Sequence, residues 1–378
     1  MFIIQGEGRG HLTQALSMHE MLTHNGDEVV EILVGKNELQ SLPAFFREKV
    51  QCPVTTFSSP CFLFSPKSKK SMLAKSIFYN IGKCFDYIKS IRLVKQRIEE
   101  NRVDLVINFY EVLTGLTYAF TRPKTPYICI AHQYLFFHPD FVFPKKSRLQ
   151  LLGLLFFTRM TCFRASRLLA LSFHEMRNTG NIRVVPPLIR KEVLFQTPTQ
   201  GDYILGYMLN AGFSEQVLDW HNKNKEVALH FFWDKKDVAK EMRVDETLSF
   251  HQLDDVAFLN RMAGCRAYAS TGGFESICEA LYLQKPVMMI PAHIEQECNA
   301  FDAMNAGAGI VSDEFNLLNL LEFLPSYQPN TVFVDWVNKS SYLFFRELRL
   351  EEERENWLSF MQQLFSLRRN VVLLNKSC

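Results

Sequence analysis

Short apolar runs alternate with longer amphipathic stretches along most of this chain, and no other feature limits its fold as much. A run of this kind is typical of a buried strand, and an amphipathic stretch of ten or more residues is typical of a helix. Strands that alternate with helices predict βαβ units and a parallel sheet covered on both faces. In the first half the runs are MFII, EVVEILV, CPVTTF, DLVIN, PYICIA, RLLAL and IRVVP.

The alternation stops at VVPPLIRKEVLFQTPTQGD, where prolines and a glycine indicate a linker. It resumes with YILGYML, EVALHFFW, TLSFHQL, CRAYAST, PVMMIP and GIVS, between helical stretches near residues 214–223, 254–262, 274–283 and 295–306. We therefore predict an α/β protein with two Rossmann-like, doubly wound domains that face a cleft. The predicted N-terminal domain is 1–190, the linker 191–200, the C-terminal domain 201–334 and a helical tail 335–378.

The composition of the chain indicates which broad classes of protein it can belong to. Apolar residues make up 47% of the chain and charged residues 22%, which indicates a folded protein rather than a disordered one. A formal net charge of +2 gives no reason to expect a nucleic-acid partner. The nine cysteines show no metal-ligand spacing and indicate reduced thiols in a cytoplasm. Because no uncharged apolar run reaches eighteen residues, we expect no spanning helix.

The most informative segment is STGGFESICEALYLQKPVMMIPAHIEQECNA, beginning at Ser270. A strand that ends in small residues before a helix exposes backbone N–H groups, which attract a phosphate. Ser276 adds a hydroxyl, and one turn later the carboxylate of Glu279 can accept bonds from the two hydroxyls of a ribose. Glu295 and Gln296 begin the next helix at the same sheet edge, where a sugar would lie. The alternative is a tight turn, a capping serine and a solvated glutamate.

This segment resembles the donor-binding signature of nucleotide-sugar glycosyltransferases with two Rossmann domains, the GT-B type. That family includes the enzyme that adds N-acetylglucosamine to a lipid-linked muramyl peptide, and the glucuronosyl and plant-type glycosyltransferases. The matching positions are Gly273, Ser276, Glu279, Pro286, Pro291, Glu295, Gln296, Asn299 and Ala300, and their spacings agree without a gap. Thr271 stands where many relatives have a histidine, Gln284 replaces a glycine, and Glu-Gln replaces Asp-Gln.

The resemblance implies a role for each matching position. Gly272, Gly273 and Ser276, with Thr271 beside them, would hold the diphosphate. Glu279 would hold the ribose, and Glu295 and Gln296 the donor sugar. Phe250 and His251 would lie near the base. The implied reaction is inverting sugar transfer from a UDP-linked donor, with no cofactor and no metal.

The first apolar run is followed by the glycine-rich loop GEGRG and then His11. A dinucleotide-binding loop requires a wider spacing of its third glycine, so the match to such a site is imperfect. We interpret Gly8, Arg9 and Gly10 instead as a loop for the acceptor and the departing phosphate, with Arg9 supplying charge. His11 suits the removal of the acceptor's proton, a role that the resemblance also implies. The alternative is that His11 only caps the helix.

Three further side chains are candidates at strand ends of the first half. Glu111 is the nearest carboxylate to the end of the fourth run, where relatives carry an acid that orients the base and this chain has Phe109. His132 and Gln133 follow PYICIA and are predicted to contact the acceptor. The alternative is an ordinary loop histidine beside aromatic residues.

Two segments of the first half mix basic with aromatic residues, SPKSKKSMLAKSIFYNIGKCFDYIKS and FPKKSRLQLLGLLFFTRM. A basic amphipathic face can bind anionic lipid, so peripheral contact with the inner face of a membrane is one interpretation, and two packed helices with solvated lysines are the other. The lysines of the first segment are Lys67, Lys69, Lys70, Lys75, Lys83 and Lys89.

The sequence thus predicts a metal-independent glycosyltransferase that moves a sugar from a nucleotide donor to a hydroxyl of a glycan, a lipid-linked molecule or a small molecule. Two other functions remain open, a sugar-nucleotide epimerase of the same double fold and a non-catalytic nucleotide-sugar-binding protein.

Overall fold

A computed structural model describes residues 1–37, 41–61, 73–208, 213–233 and 239–349. The described chain forms two seven-stranded sheets, and the central strands of each are buried along their length. Both sheets are parallel apart from one edge strand, which confirms the predicted fold class. Lys67, Lys69, Lys70 and the predicted tail beyond residue 349 lie outside the described residues.

The first sheet has the strand order β3-β2-β1-β4-β5-β6-β7, and all neighbours are parallel. Its strands are β1 (Phe2–Gln5), β2 (Ile32–Lys36), β3 (Val54–Ser58), β4 (Val106–Phe109), β5 (Tyr127–Ala131), β6 (Arg167–Leu171) and β7 (Ile182–Val185). The order reverses between β1 and β4. In open α/β sheets such a switch point opens a crevice at the carboxyl ends of the strands, where ligands bind.

The helices of the first half are α1 (Gly10–Asn25), α2 (Ala44–Lys49), α3 (Leu73–Gly82), α4 (Cys84–Glu100), α5 (Val112–Thr121) and α6 (Arg148–Thr161), with a 3-10 helix at His132–Phe137. α1 ends where Gly26 adopts φ +89°, and its N–H bonds to the carbonyls of Leu22 and Thr23. A left-handed residue of this kind favours glycine and ends the helix. The short helix α7 (Lys191–Leu194) lies inside the predicted linker.

The second sheet has the order β10-β11-β9-β8-β12-β13-β14. Its strands are β8 (Tyr203–Met208), β9 (Ala228–Trp233), β10 (Glu241–Arg243), β11 (Leu248–Gln252), β12 (Ala267–Ser270), β13 (Val287–Met289) and β14 (Gly309–Val311). The exposed edge strand β10 pairs antiparallel with β11 and has no apolar run that would have predicted it. The switch point lies between β8 and β12.

The remaining helices are α8 (Ser214–His221), α9 (Asp255–Gly264), α10 (Phe274–Tyr282), α11 (Ile294–Asn305), α12 (Leu317–Phe323), α13 (Thr331–Asn338) and α14 (Ser340–Leu348), with a 3-10 helix at Leu324–Ser326. The last two helices return to the first sheet. Trp336 Nε1 of α13 donates to the carbonyl of Ser172 at 2.9 Å, and Glu347 of α14 pairs with Arg167 at 3.4 Å. Within the described ranges no helix has both the length and the hydropathy that crossing a membrane requires.

Candidate active site between the two sheets

The loop after β12 turns sharply into α10. Gly272 adopts φ +83°, a conformation that favours glycine, and Gly273 then begins the helix with no side chain capping it. The Ser276 hydroxyl donates to the carbonyl of Gly273 at 3.3 Å, and Thr271 is buried beneath the turn. Uncapped N–H groups at a helix start carry partial positive charge. The sequence-predicted phosphate loop therefore has the local geometry expected of an anion site.

The start of α10 meets the start of α1 across the gap between the domains. Gln14 Nε2 of α1 donates to the carboxylate of Glu275, which also accepts the N–H of its own residue. A Cβ atom at residue 10 would overlap that carboxylate, so a larger residue there would displace the Glu275 side chain. Burial raises the pKa of Glu275 to about 7. A carboxylate thus already lies where the two helix starts converge.

His11 is held from two sides. Its Nδ1 lies 3.2 Å from Gln14 Oε1, and its ring stacks on Tyr110 with centroids 5.3 Å apart. Tyr110 reaches this position because its backbone adopts φ 61°, a left-handed conformation that is strained for a bulky residue. Burial lowers the pKa of His11, while the charge of Glu295 and the bond with Gln14 act against that change.

Glu111 does not orient His11 in this structure, contrary to the sequence-based hypothesis. Its carboxylate accepts the N–H of Thr114 at 3.0 Å, so it caps the start of α5, and it also accepts the hydroxyl of Ser59. Burial raises the pKa of Glu111 to about 7. Glu111 was predicted to lie beside His11 because it follows the end of β4 closely in sequence. In the structure its side chain turns toward β3 and α5.

Arginines pair with the carboxylates on one side of the gap, which we call the arginine side (Arg9, Arg190, Asp255 and Glu279). Arg190 contacts both carboxylate oxygens of Glu279, at 2.5 and 3.0 Å. Arg9 pairs with Asp255 at 2.8 Å, and Arg190 lies 3.7 Å from the same carboxylate. Glu279 is 3% exposed and lines the interdomain pocket, so it faces the gap and not bulk solvent.

Histidines, an amide and two carboxyls occupy the other part of the gap, which we call the histidine side (His11, Gln14, Glu275, His132 and Asp302). His132 Nδ1 bonds to the carbonyl of Leu171 at 2.8 Å, and its ring stacks on Phe274 with centroids 4.2 Å apart. Its Nε2 lies 3.6 Å from Asp302 Oδ2, and neither atom has a hydrogen-bond partner among the described residues. Burial lowers the pKa of His132 to about 4 and raises that of Asp302 to about 7.

The predicted sugar-binding residues also join the domains. Gln133 Nε2 donates to Glu295 Oε1 at 2.8 Å, which links a predicted acceptor residue with a predicted donor residue. Gln296 Oε1 accepts the N–H of Ala292 at 2.9 Å and so shapes the loop after β13. The arrangement brings His11, His132, Gln133, Glu279 and Glu295 to one gap.

The assignment of Phe250 and His251 to a base pocket disagrees with the structure. Both lie within β11, whose residues point alternately to the two covered faces of the sheet and not to its carboxyl edge. Phe250 is fully buried and stacks on Trp233 with centroids 4.6 Å apart. His251 accepts or donates a 2.8 Å bond with Ser249 and is 7% exposed. The loops after β8 and β9, residues 209–212 and 234–238, lie outside the described residues.

Sequence reasoning missed Gln14, Glu275, Arg190, Asp255 and Asp302. One signal was present for Gln14, because residues three apart on a helix share a face, and Gln14 follows His11 by three. An acid in the first turn of a helix, such as Glu275, is ordinarily explained by the helix dipole. The pairings that make these residues notable join segments more than eighty residues apart.

The gap between the two sheets contains a small pocket. The pocket between α1, α10 and the Pro187–Ile189 segment has a volume of about 10 Å³, lined also by Gln14, Glu275 and Cys278. That volume holds about one water molecule.

Comparisons with known proteins identify the family. The sequence profile of glycosyl transferase family 1 matches residues 1–327. No curated protein sequence matches the chain. Among solved structures, the glycotransferase of kitacinnamycin has a TM-score of 0.62 at 14% identity, covering 92% of this chain and 98% of that one.

Two further structures have the same fold. Acinetobacter baumannii MurG has a TM-score of 0.51 at 13% identity, over 90% of this chain and 96% of that chain. UGT2 of Phytolacca americana, solved with UDP-2-fluoro-glucose and pterostilbene, has a TM-score of 0.55 at 13% identity, over 92% and 93%. With the profile match over most of its length and two facing parallel sheets, the chain belongs to glycosyl transferase family 1 and has the GT-B fold.

Proposed function

We propose that this glycosyltransferase moves a sugar, with inversion at C1, from a nucleoside-diphosphate donor to a hydroxyl acceptor, and that UDP is the nucleotide. The observation that carries the proposal is the start of α10, which has a glycine at its cap position and faces the start of α1, with Glu279 one turn further along. Helix starts bind phosphates through their free N–H groups. The choice of uridine follows the UDP-sugar bound by the plant relative.

Donor binding requires two contacts of this structure to change. Arg190 has to leave Glu279 so that the carboxylate can accept bonds from the ribose hydroxyls. Glu275 has to stay on Gln14 and away from the diphosphate, because two unit charges 4 Å apart repel by about 4 kcal/mol at an effective dielectric constant of about 20. Arg190 and Arg9, once released from Glu279 and Asp255, would then neutralise the diphosphate.

The proposed reaction is a direct displacement. His11 takes the proton of the acceptor hydroxyl, and the acceptor oxygen forms a bond to C1 of the sugar from the face opposite the diphosphate. The bond from C1 to the phosphate oxygen breaks, and its electron pair leaves with the nucleoside diphosphate. The N–H groups of α10 stabilise that developing charge. Glu295 and Gln296 would hold the sugar, and His132 and Gln133 would contact the acceptor.

We also propose that the reaction needs no cofactor and no metal ion, since the helix start and two arginines would supply the positive charge. Transfer measured after treatment with EDTA should equal transfer with added Mg²⁺ or Mn²⁺. A loss of transfer that a divalent cation restores would contradict this part of the proposal.

An exposed face of α6 supports contact with a lipid surface, and with it a lipid-linked acceptor. Leu149, Leu152 and Phe156 follow helical spacing and are 80%, 63% and 67% exposed. Residues 145–161 carry four basic side chains and no acidic one. An apolar stripe with basic flanks binds anionic bilayers. Leu152→Glu/Phe156→Glu should abolish sedimentation with phosphatidylglycerol vesicles, and unchanged sedimentation would exclude this face.

Nucleotide binding is tested by thermal denaturation. UDP at 100 times its Kd should stabilise the protein by about 2.7 kcal/mol, because it binds the folded state alone. Glu279→Ala should remove most of that stabilisation. Glu246→Ala changes an exposed carboxylate in the turn before β11 and serves as the matched control. Equal stabilisation of wild type and Glu279→Ala would contradict the donor site.

Catalysis is tested by transfer from UDP-sugars to a panel of acceptors. His11→Ala should reduce transfer by about 10²- to 10⁴-fold while UDP binding persists, because a general base contributes that much. His24→Ala, at the exposed end of the same helix, should leave transfer unchanged. UDP binding without transfer or hydrolysis would favour a non-catalytic binding protein, and isomerisation of the sugar nucleotide without an acceptor would favour an epimerase.

A further inference from the structure

We propose that Gln14 and Glu275 together position His11, and that the donor domain thereby sets which ring nitrogen of His11 is free to accept a proton. The inference rests on the proposed function, in which His11 is the base, and adds two positioning residues on opposite sides of the gap. Neither was predicted from the sequence.

The directions of the hydrogen bonds follow from one fixed point. An ionised carboxylate accepts hydrogen bonds and cannot donate, so the Gln14 group that faces Glu275 is its NH₂. The Gln14 oxygen then faces His11 Nδ1 at 3.2 Å. Because an oxygen needs a donor opposite it, the proton of the neutral ring lies on Nδ1. Nε2 is left as the nitrogen that can take the acceptor's proton.

The plane of the ring is fixed separately. Tyr110 stacks on His11 at an angle of 29°, and its hydroxyl is anchored by Thr158 at 2.7 Å. Stacking limits rotation of the imidazole but does not choose between its nitrogens. The choice of the protonated nitrogen is therefore made by Gln14 and not by Tyr110.

The same arrangement makes the proton position depend on domain closure and on Glu275. Glu275 belongs to the donor domain and Gln14 to the acceptor domain, so the chain of bonds forms when the domains meet. If Glu275 gains a proton, it can donate to the Gln14 oxygen, and the turned amide then donates to Nδ1. The ring proton moves to Nε2, which can no longer act as a base.

The pH at which this reversal occurs depends on the charges around Glu275. Burial is the main cause that raises its pKa to about 7, and the carboxylates of Glu279 on α10 and Glu295 on α11 act in the same direction. Arg190 offsets Glu279, and Gln133 donates to Glu295. From α1, Gln14 favours the ionised form, and Arg9 is committed to Asp255. The competent proton position is therefore expected above about pH 7.

The direct test is ¹⁵N NMR of the full chain with labelled histidine, which reports the proton position on each ring. His11→Asn identifies the His11 signals among the ten histidines. At pH 8 we expect His11 to carry its proton on Nδ1, and to shift toward Nε2 as the pH falls through about 7. Gln14→Met and Glu275→Ala should both abolish this preference. Glu246→Ala should keep it.

Exchanging the amide and the carboxylate between positions 14 and 275 should restore the proton position on His11. In Gln14→Glu/Glu275→Gln the carboxylate accepts from His11 Nδ1 and the new amide at 275 donates to it, so the Nδ1 proton should return. A wild-type ring protonated on Nε2 at pH 8, or a proton position that Gln14→Met leaves unchanged, would overturn the inference.

Kinetic measurements distinguish a failure of this inference from a failure of the proposed function. Gln14→Met should lower kcat by about 10- to 100-fold with little change in KM for the donor, and the double exchange should recover much of it. If transfer depends on His11 but not on Gln14, positioning fails and the function stands. If the NMR result holds and no sugar transfer occurs, the function fails and the hydrogen-bond chain stands.

Discussion

The arginine side and the histidine side of the gap differ in what accompanies their carboxyl groups. On the arginine side, Glu279 and Asp255 each face a guanidinium. On the histidine side, Glu275 and Asp302 face an amide and an imidazole, and burial raises the pKa of both to about 7. An arginine in a charge pair can release its carboxylate and bind a different anion, such as a phosphate. A group that titrates near neutrality can instead gain or lose a proton. We therefore propose that the first side binds the anion and that the second transfers protons.

The largest expected effect comes from removing the cation of the arginine side. Arg190→Ala leaves the buried carboxylate of Glu279 without its partner, and the loss of one member of a buried pair costs about 3–5 kcal/mol. Urea unfolding at pH 7.5 measures this change in the free energy of unfolding. Arg177→Ala breaks an exposed pair with Asp140 and should cost no more than about 1 kcal/mol. Equal costs for the two variants would mean that Glu279 is not held by charge.

A second prediction uses Glu111, a buried carboxylate of the N-terminal domain that is bonded to a hydroxyl and an N–H. Its pKa is about 7 in the folded protein, and its ordinary pKa, which applies to the unfolded chain, is 4.5. Between these two pH values the folded state therefore binds more protons than the unfolded state. The free energy of unfolding should therefore fall as pH rises from 4.5 to 7, by about 3 kcal/mol at 1.36 kcal/mol per pKa unit.

Glu111→Gln should remove this pH dependence, because the amide does not titrate. Its oxygen can accept the N–H of Thr114, and its NH₂ can donate to the hydroxyl of Ser59. Urea unfolding at pH 5 and pH 8 makes the comparison, with Glu246→Gln as the control. If the variant shows the wild-type decline, or transfer falls as far as in His11→Ala, the capping role is wrong and a catalytic role for Glu111 regains support.

The smallest expected effect is on the histidine side. Asp302→Asn places an N–H opposite the unbonded Nε2 of His132, and a new buried hydrogen bond contributes about 1 kcal/mol. The variant should be slightly more stable than wild type at pH 7.5 in urea unfolding. A loss of stability would show that Asp302 acts as a charge and not as a proton-bearing group.

The fold could be predicted from sequence because its signal is local. The runs MFII, PYICIA and PVMMIP, which contain most or all of β1, β5 and β13, are continuous and apolar, as strands covered on both faces require. The stretch predicted as a helix at 274–283 became α10, and the one at 295–306 became α11. The edge strand β10 was missed because its three residues are exposed and carry no such pattern.

The site was predicted in its loops but not in its pairings. The small residues before α10 predict a tight turn, and His11 directly follows the glycine-rich loop. The phosphate loop and the candidate base could therefore be found from residue spacing. Helical spacing offered Gln14 as the partner of His11, but it could not exclude Glu111, because the direction of the Glu111 side chain toward Ser59 and Thr114 is set by the fold. Phe250 was assigned to the base by analogy, although its position inside β11 fixes it in the core.

The most direct test of the account is a crystal structure of the protein grown with UDP. We predict the diphosphate on the N–H groups that begin α10, the ribose hydroxyls on Glu279, and Arg190 moved from Glu279 toward the phosphate. UDP bound elsewhere, or Glu279 still paired with Arg190 while UDP is present, would contradict it.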